Sequence, residues 1–93
     1  MSNTYQIYLI SDSTGETLDR IFIAIKAQFK NINYKIHTYS FTRTENQILK
    51  ILSDSEKSTN SIILYSIVDN NLAKYLAKTS SEKKIPCFGV LGD

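Results

Sequence analysis

Tyr5-Gln6-Ile7-Tyr8-Leu9-Ile10 runs straight into Ser11-Asp12-Ser13-Thr14-Gly15-Glu16-Thr17, and this junction decides the fold class. The first six residues are nearly all apolar, with β-branched and aromatic side chains. A run this short and this continuous is the pattern of a strand buried on both faces. The next seven are turn and cap residues. Beyond them Leu18, Ile21, Phe22, Ile25 and Phe29 recur at spacings of three and four, one face of an amphipathic helix that is expected to end near Lys30. Ser13 and Glu16 have the spacing of a capping box, which starts the helix just inside the cluster.

The same alternation continues to the end of the chain. Tyr34–Phe41 (YKIHTYSF) reads as a second strand, more polar than the first and so suited to a sheet edge. Thr42-Arg43-Thr44-Glu45 repeats the capping-box spacing, and Ile48, Leu49, Ile51 and Leu52 supply the apolar face of a second helix. Asp54 to Asn60 is polar and breaks that pattern. Ser61–Val68 (SIILYSIV) is the most apolar stretch and is expected to be a central strand. Asp69 is a cap for a third helix packed through Leu72, Ala73, Leu76 and Ala77. Lys83 and Lys84 close it at the negative end of its dipole. Ile85–Leu91 is the fourth strand, with Pro86 near its permissive start.

The order β-α-β-α-β-α-β, with a helix-length connection between successive strands, predicts a parallel sheet with right-handed crossovers in one α/β domain spanning residues 1–93. With the two most apolar strands inside, the strand order is 2-1-3-4, a Rossmann/flavodoxin-like arrangement. The direction of winding then reverses between strands one and three, and ligands collect at such a switch point, beyond the carboxyl ends of the strands. The loop after the first strand opens there.

Composition narrows the function classes. The chain is 42% hydrophobic and 22% charged, the balance of a globular protein rather than a disordered one. A net charge of +2, with nine of eleven basic residues being scattered Lys, fits a solvated surface and argues against a nucleic-acid partner. The polar start and the strand-length apolar run after it are neither a signal peptide nor a membrane span. The lone Cys87 has no partner for an internal disulfide, so a reducing, cytoplasmic setting is expected, with Cys87 a small buried hydrophobe.

The Ser11–Thr17 loop is the one concentrated chemical signal. Ser11, Ser13, Thr14 and Thr17 offer hydroxyls, and Gly15 and the helix N-terminus offer free amides, so Ser11, Asp12, Ser13, Thr14, Gly15 and Thr17 form a candidate phosphate or anion loop. The competing reading is that these residues only turn the chain and cap the helix. Asp12 and Glu16 oppose a bare anion, unless their carboxylates face away or hold a metal ion accompanying a phosphate. Arg43, after the second strand, is positioned to reach an anion in the same crevice or to sit in solvent beside Glu45. No Walker loop, no G-x-G-x-x-G and no metal-ligand spacing occurs, so no metal site is expected. His37 is expected to serve surface or pairing roles. Asp69 stands where a receiver domain carries its phospho-acceptor, but a helix cap explains it as well.

The stretch Ile7–Thr17, with Ala27-Gln28-Phe29 downstream, resembles the amino-terminal signature of the bacterial and plant family that regulates pyruvate, phosphate dikinase or phosphoenolpyruvate synthase. Phe41-Thr42-Arg43-Thr44, Tyr65-Ser66-Ile67-Val68-Asp69, Ile85-Pro86-Cys87 and Val90-Leu91-Gly92 agree with it in order and spacing. Ser40 and Gly89 depart from it, where a proline and an acidic residue are expected. The resemblance implies a bifunctional partner of the dikinase or synthase. One activity is an ADP-dependent Ser/Thr kinase; the other is a phosphate-dependent, pyrophosphate-forming phosphorylase. It covers about the first third of a family member, and the carboxyl-terminal nucleotide-binding phosphate loop has no counterpart here. ADP and phosphate are therefore ligands of the whole family, and no cofactor is expected for this chain, whether it is an excised domain or a shortened product. The isolated chain is expected to be inactive, since phosphoryl transfer depends on clamping the nucleotide phosphates. Two other classes fit the fold: a flavodoxin-like phosphate or FMN binder, and a non-catalytic interaction or receiver-like module. An unfinished sheet edge after Leu91 would favour self-association into a homo-oligomer.

Overall fold

A computed structural model describes residues 4–27, 33–57 and 60–90. Its elements are β1 (Thr4–Ser11), α1 (Glu16–Lys26), β2 (Asn33–Tyr39), α2 (Glu45–Ser55), β3 (Ser61–Ser66), α3 (Asn70–Glu82) and β4 (Cys87–Gly89). All pairings are parallel and the sheet order is β2-β1-β3-β4, as the sequence pattern predicts. β1 carries a neighbour on each side, which is why its apolar run is nearly continuous.

Successive β1 side chains feed two cores. Tyr8 and Ile10 join Ile48, Ile51, Leu52, Ile63, Leu72, Leu76 and Ile85 beneath α2 and α3. Ile7 and Leu9 meet Leu18 and Phe22 of α1 on the opposite face. The polar edge strand β2 is held partly by side chains. His37 stacks on Tyr8 with ring centroids 4.6 Å apart, and its Nε2 lies 2.7 Å from Gln6 Oε1. That is the pairing role expected of it.

Several boundaries differ from the sequence reading, for local reasons. The side chain of Ile25, the residue Phe29 and the expected helix end near Lys30 lie outside the described residues, as does Leu91 at the expected end of β4. α1 begins at Glu16, directly after Gly15, whose φ of +86° suits glycine. Ser13 is therefore too early to cap it, and its hydroxyl lies 3.3 Å from that of Ser11 instead. The second capping box exists two residues later than expected: Thr44 accepts from the Gln47 amide and Gln47 Oε1 accepts from the Thr44 amide. It is displaced because the amides of Phe41 and Thr42 are already committed to the carbonyls of Ser13 and Ser11. Leu49 and Ala77, expected on packing faces, are exposed.

β3 stops at Ser66; two residues on, the Val68 amide donates to the Asp12 carboxylate instead of a strand neighbour, and Val68 is 73% exposed. Asp69 caps α3 as expected, its Oδ1 accepting from the amides of Asn71 and Leu72. Lys84, at φ +60°, ends that helix in the left-handed conformation common just past a helix terminus. The chain then returns through Pro86, whose carbonyl accepts from the Ile63 amide. Cys87 is half-buried rather than fully buried. Burial pushes its thiol up, and the nearby Ser80 hydroxyl, which has no hydrogen bond of full geometry among the described residues, offsets part of that. Gly89 has a steric reason: a Cβ there would lie 3.0 Å from the tip of the Tyr65 ring, so an acidic side chain does not fit without moving that ring.

Candidate functional site

Three loops meet at the carboxyl end of the sheet, and their contacts with one another are mostly hydrogen bonds. The β1 loop lies in the middle. Its Asp12 amide donates to the Ser66 carbonyl at 3.3 Å, and its Asp12 Oδ2 accepts from the Val68 amide at 2.9 Å. On the other side the Phe41 amide donates to Ser13 O at 2.9 Å and the Thr42 amide to Ser11 O at 2.8 Å. The Ser40 hydroxyl reaches the Thr14 carbonyl at 3.1 Å, and Arg43 Nε donates to the Asp12 carbonyl at 3.0 Å. The three loops are thereby joined at the switch point between β1 and β3.

The candidate residues divide by what their side chains do. Ser11 is buried and turned inward, its Oγ accepting from the Ser13 amide at 3.1 Å. Asp12 is half-buried and its carboxylate is directed to the β3–α3 turn, so its charge is spent on a structural bond. Ser13, Thr14 and Thr17 are exposed, and Gly15 is buried as the pivot into α1. Among the described residues, nothing accepts from the amide of Thr14 or from those of Gly15, Glu16 and Thr17, the latter three as expected at a helix start. Glu16 and Asp19 sit in that same turn. They stabilise α1 through its dipole and weaken the attraction for a second negative charge there.

Arg43 was legible only as a choice between crevice and solvent. It lies against the β1 loop, and its guanidinium carbon is 5.3 Å from the Phe41 ring centroid. Phe41 has left-handed backbone, φ +54°, and is half exposed. A bulky residue in that region is strained, and such strain persists only where its surroundings impose it. Here two bonds hold it: its amide to Ser13 O, and its carbonyl accepting from Gln47 Nε2 at 3.3 Å. Neither the strain nor the Asp12 brace was readable from sequence spacing. The acceptor of a brace 56 residues away leaves no local pattern.

The loop is a surface feature. A groove of about 240 Å³ runs beside it between the β2–α2 turn and α2, touching Ser40, Thr42, Lys50 and Asp54. A second of about 540 Å³ separates α2 from α3, around Leu49, Tyr75 and Lys78. No residue of Ser11–Thr17 lines either one. Among the described residues no three His, Cys, Asp or Glu side chains cluster as metal ligands. No helix among the described residues is long and apolar enough to cross a membrane. Asp69 is committed to its helix cap, which removes the main support for a receiver-type acceptor.

Residues 7–93 match the family described as Kinase/pyrophosphorylase. The chain is 70% identical over its full 93 residues to a protein of Pelagibacter ubique (strain HTCC1062) assigned by name as a pyruvate, phosphate dikinase regulatory protein, and covers 34% of it. Proteins assigned the same name in Geotalea uraniireducens (strain Rf4) and Chelativorans sp. (strain BNC1) are 37% and 38% identical over 86 and 87 residues. Those matches take in 92% and 94% of this chain and 32% of each relative. The chain thus spans about a third of the length of the curated relatives it matches.

Proposed function

This chain belongs to the kinase/pyrophosphorylase family, and from that premise we propose that it is the part of a cytoplasmic dikinase regulator that contributes an anion-binding loop without the nucleotide clamp. The whole regulator phosphorylates pyruvate, phosphate dikinase, or the related phosphoenolpyruvate synthase, with ADP as donor. It reverses that modification with inorganic phosphate, releasing pyrophosphate. The names of the relatives support the dikinase as the partner. Both directions handle a phosphate group beside a protein hydroxyl, so both need a place where a phosphate is held by fixed donors.

The observation that carries the reading is that, among the described residues, the amides of Thr14–Thr17 make no hydrogen bond while Arg43 is anchored to the Asp12 carbonyl of the same loop and the Asp12 carboxylate is turned to the Val68 amide. With Asp12 directed away, amides of Thr14–Thr17, the hydroxyls of Thr14 and Thr17 and the Arg43 guanidinium are left as donors around one loop. Phosphate favours such a set, through the helix dipole and through charge-assisted bonds to Arg. The stacking of Arg43 on Phe41 limits its rotamers, so less entropy is lost when it binds.

The test is a titration of the isotopically labelled chain with inorganic phosphate, followed by amide NMR. Shifts confined to residues 13–18 are expected, with affinity reduced on the order of tenfold by Arg43→Ala, the loss of one charge-assisted contact. Unmoved amides at saturating phosphate would leave the loop as a turn and helix cap only. In parallel, the chain incubated with ADP and dikinase is expected to transfer no phosphoryl group.

A further inference from the structure

The two faces of the sheet are unequally covered. Four strands spaced about 4.8 Å apart make a sheet roughly 14 Å across between its outer strands, whereas a helix with its side chains is about 10 Å wide. One helix therefore covers about two strands. α2 and α3 together seal one face. Among the described residues the other carries α1 alone, lying over β1 and β3.

Strand register defines what α1 leaves uncovered. Paired residues of a parallel ladder project to the same side of the sheet. Ile7 and Leu9 face α1; Ile7 aligns with Ile62, Leu9 with Leu64, and Leu64 with Phe88. Ile62, Leu64 and Phe88 therefore form an apolar strip on the α1 side of β3 and β4, with Leu64 packed at its edge against the α1 core. Phe88 is 55% exposed, and Ile62 and Leu64 are only half-buried. On the other face of these same strands Ile63 is fully buried. All-parallel sheets are almost always covered on both faces, because their crossovers place helices there.

We infer that this strip is the seat of an amphipathic helix from the two thirds of the curated relatives' length that lies outside the segment they share with this chain. The length of chain outside the structure argues for that occupant. The 70%-identical relative is about three times as long as the segment it shares with this chain, ample for a helix that packs alongside α1 over β4. The inference is independent of phosphate binding at the opposite feature, the β1 loop, and neither result decides the other.

The test places a cysteine at Phe88 of this chain, with Cys87 replaced by Ser, and a cysteine at the aligned position of the intact Pelagibacter relative. Labelling by a small thiol reagent is followed by peptide mass, so that other thiols do not interfere. Labelling on the order of tenfold slower in the intact relative than in this chain, at a rate independent of dilution, is the expected result, since a docked helix must open before the site reacts. Equal rates in the two proteins would overturn the inference. So would slow labelling in this chain that quickens on dilution, because the occupant would then be a second copy. A second probe, Val90→Cys, half-buried at the margin of the same strip, is measured the same way should the first variant fold poorly.

Discussion

Among the described residues, each end of the sheet contains one non-glycine residue in the left-handed conformation, and the two are there for different reasons. At the amino end, Lys84 sits just past α3 and Ile85 returns its amide to the Ser80 carbonyl. That is a helix stop, local to one turn. At the carboxyl end, Phe41 is bent by partners far away in sequence, Ser13 on one side and Gln47 on the other. The amino end is held by ordinary helix punctuation and an ion pair between Lys83 and Glu56 at 2.9 Å. The carboxyl end is held by a mesh of bonds among three loops. Strain at the first is a cost of stopping a helix; strain at the second comes with a shaped surface.

The largest difference between the two ends is expected at their ionised groups. Removing Asp12 (Asp12→Ala) takes a charge-assisted bond from the Val68 amide and is expected to destabilise the fold by about 1.5–3 kcal/mol. Glu56→Ala at the other end removes a partly exposed ion pair and is expected to cost less than about 1 kcal/mol. Urea denaturation of the two variants measures both, and equal losses would dissolve the distinction between the two ends. Asp12→Asn, which keeps an acceptor, should recover part of the loss.

A smaller effect separates the two left-handed residues. Lys84→Gly relieves backbone strain at an exposed site, and is expected to raise stability by about 0.5–1 kcal/mol. Phe41→Gly relieves the same kind of strain but removes the ring beneath Arg43, so the gain is expected to cancel to within about 0.5 kcal/mol. Melting temperatures of the pair decide it; a clear stabilisation by both would mean that the Phe41 ring contributes nothing to the loop mesh.

The smallest effect is in alkali. Burial, then the charge of Asp54, pushes the phenols of Tyr8 and Tyr39 up; burial, then Cys87, does so for Tyr65, and burial raises the Cys87 thiol. For each, the folded state prefers the neutral form more than the unfolded chain does. The associated stability is complete at neutral pH and lost as pH rises past the ordinary thiol and phenol values, near 9 and 10. Melting temperature should hold level from pH 7 to about 9 and fall beyond it. Tyr39→Phe should flatten that fall, while Lys84→Gly should shift the whole curve without changing its shape.

These contrasts explain what was legible beforehand. The strand order and the existence of all seven elements follow from apolar runs and helical spacing, which are local signals. The candidate loop was visible because hydroxyl and glycine residues crowd one junction. Its inner organisation was not. Asp12 bonds a backbone amide after β3, and backbone partners carry no sequence signature. The misplaced caps have the same origin: Ser13 and Thr42 have cap-forming side chains, but long-range backbone bonds had already claimed the geometry around them. Ser40 was visible only as a departure from an expected proline, and its value lies in the hydroxyl bonded to Thr14 O.

β1 pairs with β2 through Tyr8 and His37, 29 residues apart, and with β3 through Ile7 and Ile62, 55 residues apart. No strand of this sheet pairs with a near neighbour in sequence, because a parallel crossover forbids it. On a ribosome Tyr5–Ile10 is made before either of its partner strands; one edge can pair once the chain has been made through Tyr39, and the other waits until Ser66. Both adhesive edges are open until β2 is made, and one stays open until β3 is made. The central position that makes β1 the best-protected segment of the folded protein thus makes it the longest exposed during synthesis, and slow translation between Asn33 and Ser66 would lengthen the period in which it can aggregate.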